Sequence, residues 1–193
     1  MTLEEKGKET KSAILNSALE CFSRKGYEST QVEEICENAG VTKGAFYYHF
    51  ATKQDILLML LNLWMEKIGG ILNEARAESG DFMSMVINLP AKIKPAFVDD
   101  LNQITIFLEL YIRGISDPSL KAVVSRSYHD YLDFFSDIVQ QGINAGYIRE
   151  VNPRTTARLL FSLTVGLLIQ GLIDPEGEDW EIFAVDTLKL IFK

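Results

Sequence analysis

Apolar side chains recur along this chain at helical spacing, and strand-like alternation of apolar and polar residues is nearly absent. Ile14, Leu15, Ala18, Leu19 and Phe22 form one stripe of a first helix, expected from near Lys8 and ended by Gly26, which takes a left-handed cap without steric penalty. Thr30 with Glu33 reads as a capping box opening a second helix, whose Val32, Ile35, Cys36 and Ala39 face inward. Ala39-Gly40-Val41 is then a tight turn, and Thr42 caps a short third helix with Phe46 and Phe50 directed to the core.

A further box, Thr52 with Asp55, starts a helix of about 20 residues through Ile56, Leu57, Leu60, Leu61, Trp64, Ile68 and Leu72. Gly80-Asp81 marks the next break. Pro90 and Pro95 predict a kink or two short helices, and another helix is expected over 101–112. Asp117-Pro118 and Asn152-Pro153 each pair an N-cap with proline at the first helical position. They predict helices to about Ala145, closed by Gly146, and to about Leu172. A last helix is expected from near Asp179. The fold class is therefore all-α with about nine helices, divided as residues 1–51 and 52–193. At 193 residues the chain can bury a core without disulfide or metal staples.

Two cysteines, Cys21 and Cys36, are too few for a disulfide framework and read as small buried hydrophobes. No histidine–cysteine cluster suggests a metal, and no phosphate loop or Ser-His-Asp set suggests an enzyme or a cofactor. The polar stretch Met1 to Lys11 lacks the apolar region of a secretory signal. The most apolar window, Leu159 to Ile173, has 15 residues, short of the roughly 20 needed to span a bilayer. A cytoplasmic protein without membrane partners is expected.

The second helix, the glycine turn and the third helix match a helix-turn-helix, whose second helix enters the DNA major groove. Lys43 offers a cation to phosphate or guanine, and Gly44 permits close backbone approach. Tyr47, Tyr48 and His49 supply donors on a short rigid rod. Thr30 and Thr42 sit at helix N-termini, where amides attract phosphate, and Lys53 sits at another. The formal net charge of −8 argues against a nucleic-acid binder. The objection weakens locally: residues 41–54 hold two lysines and no acid, and most of the acidic excess lies after Asp55.

The run from Thr30-Gln31-Val32-Glu33-Glu34-Ile35 through Ala39-Gly40-Val41-Thr42-Lys43-Gly44-Ala45-Phe46-Tyr47-Tyr48-His49-Phe50, then Lys53 and Leu57, resembles the tetracycline-repressor (TetR) family of bacterial transcriptional regulators. Cys36 and Phe46 stand where alanine and leucine are commoner in that family. The resemblance implies an all-α homodimer that binds a double-stranded operator through its N-terminal domain. It also implies a small-molecule effector in the larger domain, and most often repression relieved by that effector. Pairing of the last two helices with those of a partner is implied too.

The second half fits on its own terms. Leu159 to Ile173 is apolar nearly all round, so it needs two buried faces. Leu159, Leu163, Gly166, Leu167 and Gln170, with Phe183 and Leu188 of the last helix, are the expected dimer interface; Gly166 and Gly171 would permit close approach. Trp64, Met83, Phe107, Tyr131, Phe134, Phe135 and Phe161, with Tyr111, Arg113 and Tyr128 as polar anchors, are candidates for a largely apolar effector pocket. For each one an ordinary aromatic core position is the alternative. Arg113 either pairs with Glu109 or lines the pocket, and His129 is expected to be exposed or pocket-lining. Asp130, Asp133 and Asp137 read as a solvated helix face. An all-α enzyme with an appended helix-turn-helix, or a helical protein-interaction module, is the competing function.

Overall fold

Capping and apolar periodicity generate nine α-helices and no strand among the described residues, which in this computed structural model are 2–78, 82–97, 101–174, 177 and 180–189. The helices are α1 (Leu3–Lys25), α2 (Val32–Ala39), α3 (Lys43–His49), α4 (Lys53–Glu78), α5 (Phe82–Phe97), α6 (Leu101–Ser116), α7 (Pro118–Asn144), α8 (Pro153–Ile173) and α9 (Trp180–Lys189). The break at Gly80-Asp81 and the expected helix start at Asp179 fall outside the described residues.

Several boundaries differ from the sequence reading, each for a local reason. α1 begins at Leu3, not near Lys8. Thr2 is its cap: its Oγ1 accepts from the Glu5 amide at 3.2 Å, and the Glu5 carboxylate accepts from the Thr2 amide at 2.6 Å. α2 is capped by Gln31 and Glu34, not by Thr30 and Glu33; the Gln31 amide donates to Glu34 at 2.9 Å. α5 runs unbroken through Pro90 and Pro95 instead of splitting. Pro90 is buried against neighbouring helices, and tertiary packing there outweighs the lost amide. α4 and α6 extend further than expected, to Glu78 and Ser116. Gly26 ends α1 at φ 83° and ψ 159°, with positive φ but outside the left-handed helical region, whereas the other described N-caps are as read. Thr42 accepts from Ala45, Asp117 from Ser119 and Asn152 from Thr155, while Thr52 and Asp55 cap each other reciprocally.

One core begins where α1, α2 and α3 meet, at Ile14, Ala18, Phe22, Ile35 and Phe46, all essentially inaccessible to solvent. The Ser17 hydroxyl donates to the Ile35 carbonyl at 2.8 Å and ties α1 to α2. The turn between α2 and α3 depends on Gly40, which adopts φ 65° and ψ 31°. The same core continues through Ile56, Leu57, Leu61 and Trp64 of α4 to Ile104, Phe107 and Leu110 of α6. A second cluster joins Ala75, Met85, Val86, Ile138, Val139, Ile148 and Leu160.

α6 and α7 approach closely at Gly114. A Cβ there would lie 2.7 Å from Cγ2 and 2.9 Å from Cβ of Val124, a β-branched side chain with little freedom to retreat. Gly114→Ala is therefore expected to destabilise the protein by about 1–3 kcal/mol. A lowered denaturation midpoint at unchanged m-value checks this, and Gly114→Ala with Val124→Ala should recover part of the loss.

Candidate nucleic-acid interface and effector cavity

α3 is seven residues long, and its buried contribution to the core is Phe46. Phe46 packs on Phe50 and Tyr47 with ring centroids 6.2 and 5.2 Å apart. With the helix anchored on that side, Lys43, Gly44, Tyr47 and Tyr48 are exposed, and at 100° per residue they form one outward arc of about 140°. Tyr48 is 84% exposed and Tyr47 56%. Large aromatic rings held this far into solvent on a rigid helix make an unsatisfied surface. His49 is half-buried beside Tyr48, with ring centroids 5.0 Å apart. Lys43 is paired with Glu33 of α2, an acidic neighbour that spacing alone did not reveal. The hydrogen bond between them raises the Lys43 pKa and lowers that of Glu33.

Thr30 and Lys53 are placed differently from the sequence reading. Thr30 is buried. Its hydroxyl donates to the carbonyls of Gly26, at 2.8 Å, and Cys21, at 3.2 Å, and its amide bonds Tyr27. It therefore clasps the α1–α2 loop instead of presenting an oxygen or amide at a helix end. The Lys53 ammonium donates to the carbonyls of Tyr27 at 2.6 Å, Thr30 at 2.7 Å and Glu28 at 3.4 Å, and lies 4.2 Å from the Tyr27 ring centroid. Those acceptors use its three donors. Partial burial lowers its pKa.

The same tyrosine carries a second cation. The Arg113 guanidinium lies 4.5 Å from the Tyr27 ring and pairs with Glu28 and with Glu109, at 3.5 Å for the latter. Glu109 also accepts from the Tyr27 amide at 3.2 Å. Arg113 thus takes the Glu109 alternative and joins α6 to the α1–α2 loop. A nearby link runs from Gln54 to the Ser119 hydroxyl at 2.6 Å.

The candidate pocket aromatics form a chain of ring contacts: Trp64–Phe107 at 4.3 Å, Phe107–Tyr111 at 4.4 Å, Tyr111–Phe161 at 6.0 Å, then Phe161 to Tyr128 and Tyr131 at 5.0 Å. Tyr131–Phe135 at 4.3 Å and Phe135–Phe134 at 5.3 Å complete it. They do not surround a single space. Tyr131 and Phe135 line a cavity of about 90 Å³ with Leu89, Pro90, Thr164 and Leu167, between α5, α7, α8 and α9. Its walls are nearly all apolar, and the Tyr131 and Thr164 hydroxyls meet there at 3.3 Å. Burial raises the Tyr131 phenol well above its usual range and Tyr111 to about 12, so both stay protonated donors at neutral pH. Trp64 and Phe107 line a different cavity. The Met83 side chain lies outside the described residues. His129 is exposed, its Nδ1 2.7 Å from the Ser125 carbonyl, and Asp130, Asp133 and Asp137 are solvated as expected.

The expected dimer residues also divide. Leu163 and Leu167 are half-buried and line the α5/α7/α8/α9 cavity. Leu159, Ser162, Ile169, Gln170 and Ile173 are exposed along one stripe of α8, with Ile173 at 78%, while Gly166 on the same stripe is half-buried. A Cβ on Gly166 would meet nothing within 4 Å. On α9, Ile182 is 63% exposed and Phe183 37%. The side chain of Leu188 lies outside the described residues. Ile169, Ile173 and Ile182 were not singled out because an apolar run does not show which side packs internally. By length and composition α8, at 21 residues, could cross a bilayer, longer than its apolar window suggested.

Residues 14–60 match the family model of bacterial regulatory proteins, tetR family. The HTH-type transcriptional regulator UidR of Escherichia coli K12 is 27% identical over 172 residues, 88% of this chain and 83% of that protein. A transcriptional regulator from Saccharomonospora viridis, solved with choline, shares the fold at TM-score 0.84 and 20% identity over 96% of this chain and 99% of its own. SmeT of Stenotrophomonas maltophilia, solved with triclosan, aligns at TM-score 0.76 and 26% identity over 95% of this chain and 92% of its own.

Lys53→Met should lower stability by about 1–3 kcal/mol, because it strips the Tyr27 and Thr30 carbonyls of their partner. Chemical denaturation checks this. Unchanged stability would mean the ammonium is free for another role.

Proposed function

We propose that this chain, which matches the tetR family model over residues 14–60, is a homodimeric TetR-type repressor released from its operator by a small, largely apolar effector. It acts in the cytoplasm, with residues 1–51 as reading head and 52–193 as effector-binding and dimerisation domain. The outward arc of Lys43, Gly44, Tyr47 and Tyr48 on α3 carries the reading, with the Thr42 cap and His49 at its ends. These residues suit base-edge and phosphate contacts in the major groove. Thr30 and Lys53 act from behind, holding the loop and helix ends that aim α3.

The exposed apolar stripe of α8, continued by Ile182 and Phe183 of α9, supports an isologous interface. Such a pairing sets the two heads at a fixed spacing, roughly 34–36 Å for half-sites one turn apart. The cavity around Tyr131, Phe135 and Thr164 receives the effector. Its few polar atoms suit a mostly apolar molecule with one hydrogen-bonding group. A packed space of about 90 Å³ must open to admit it. The rearrangement reaches the heads through α6, whose Arg113 and Glu109 grip the Tyr27 loop. A coupling of roughly 1–3 kcal/mol would weaken operator binding about 5–150-fold.

Tyr48→Ala should weaken binding to operator DNA selected from genomic fragments, at unchanged stability and dimer content. Affinity should also fall steeply with salt, since phosphate contacts release counterions. Equal affinity of Tyr48→Ala and parent, or a flat salt response in gel shifts, would remove α3 as the reading element. Ile169→Asp should convert the dimer to a folded monomer in analytical ultracentrifugation; an intact dimer would place the interface elsewhere.

A further inference from the structure

A cavity outside the proposed effector site lies at the seam where α1 of the head meets α4 and α6. Its volume is about 210 Å³ against about 90 Å³ for the other, and the two share no lining residue. Its floor is buried, with Leu57 at 2% and Leu61 at 5% exposure. Trp64 and Phe107 form one wall, their rings inclined at 45°. A cavity of about 150 Å³ lined by aliphatic and aromatic side chains binds benzene, so the space suits one ring with a short substituent. The aromatic wall offers such a ring inclined or edge-to-face packing.

Two lining residues are polar, Asn16 from α1 and Lys67 from α4, and both are exposed. No acidic side chain lines the cavity. A ligand with an apolar ring in the floor and an anionic group at the rim would meet a cation, an amide donor and no repelling carboxylate. We infer that this seam is a second binding site, selective for a single-ring aromatic carboxylate. Lys67 is the specificity-determining cation, and Trp64 and Phe107 are the packing surface. Because the site is built from both the head and the larger domain, its occupant touches the two parts whose relative position governs operator binding.

The sequence has two tryptophans, so a Trp180→Phe protein leaves Trp64 as its sole indole reporter. Phenylacetate and its neutral counterpart phenylacetamide are titrated into this protein, into the same background carrying Lys67→Met, and into one carrying Thr164→Val, while Trp64 fluorescence is followed. Phenylacetate should give a saturable change and bind about ten-fold more tightly than the amide. Lys67→Met should abolish that preference without altering the circular dichroism spectrum, and Thr164→Val should leave it intact. Absence of a saturable change, equal affinity for the two compounds or a preference that survives Lys67→Met would overturn the assignment. Loss with Thr164→Val would put the ligand in the other cavity and overturn it as well.

Discussion

Tyr27 is where the loop before α2 is tied to both α4 and α6. Its ring receives two cations, Lys53 at 4.2 Å and Arg113 at 4.5 Å, from the start of α4 and the end of α6. Its carbonyl accepts from Lys53 and its amide donates to Glu109. A cation over an aromatic face contributes about 0.5–2 kcal/mol depending on solvent access, so neither contact is strong alone. Their value lies in position. Three segments far apart in sequence share one side chain, so a shift of α6 cannot leave the loop that feeds α2 and α3 undisturbed.

That arrangement also gives the aromatic chain from Trp64 to Phe135 a mechanical meaning. Phe107 and Tyr111 lie on α6 within two turns before Arg113, on a helix that is continuous to Ser116. Close-packed rings have few intermediate arrangements, so displacing Tyr131 or Phe161 moves neighbours as a set. The two cavities sit toward opposite ends of this chain, one on α1, α4 and α6 and the other on α5, α7, α8 and α9.

Helix type and most caps were legible because they depend on residues within a turn or two. Thr42, Thr52, Asp117 and Asn152 all cap as read. Thr30 was misread because Gln31 and Glu34 offer the same box one residue later, and a hydroxyl with a buried carbonyl in reach goes there instead. Pro90 looked like a break because local rules cannot weigh the packing around it. Lys53 carried a charge at a helix start, yet only the folded loop shows that its three donors are taken. The outward side of α3 could be read from period alone, since Phe46 and Phe50 fix the inward side. Which side of α8 is open could not: leucines occur on both, with Leu163 and Leu167 half-buried beside the cavity while Leu159, like Ile169 and Ile173, is exposed.

The seven residues of α3 divide their labour almost completely. Phe46 secures the helix, while Lys43, Gly44, Tyr47 and Tyr48 bear little of the packing. Substitutions across that outer arc therefore change surface chemistry at small cost to folding, usually within about 0.5 kcal/mol at exposed positions. The scaffold is tolerant where novelty matters and intolerant one residue away. A library varied at those four positions, with Phe46 fixed, would alter the outer chemistry of α3 while leaving its packing unchanged.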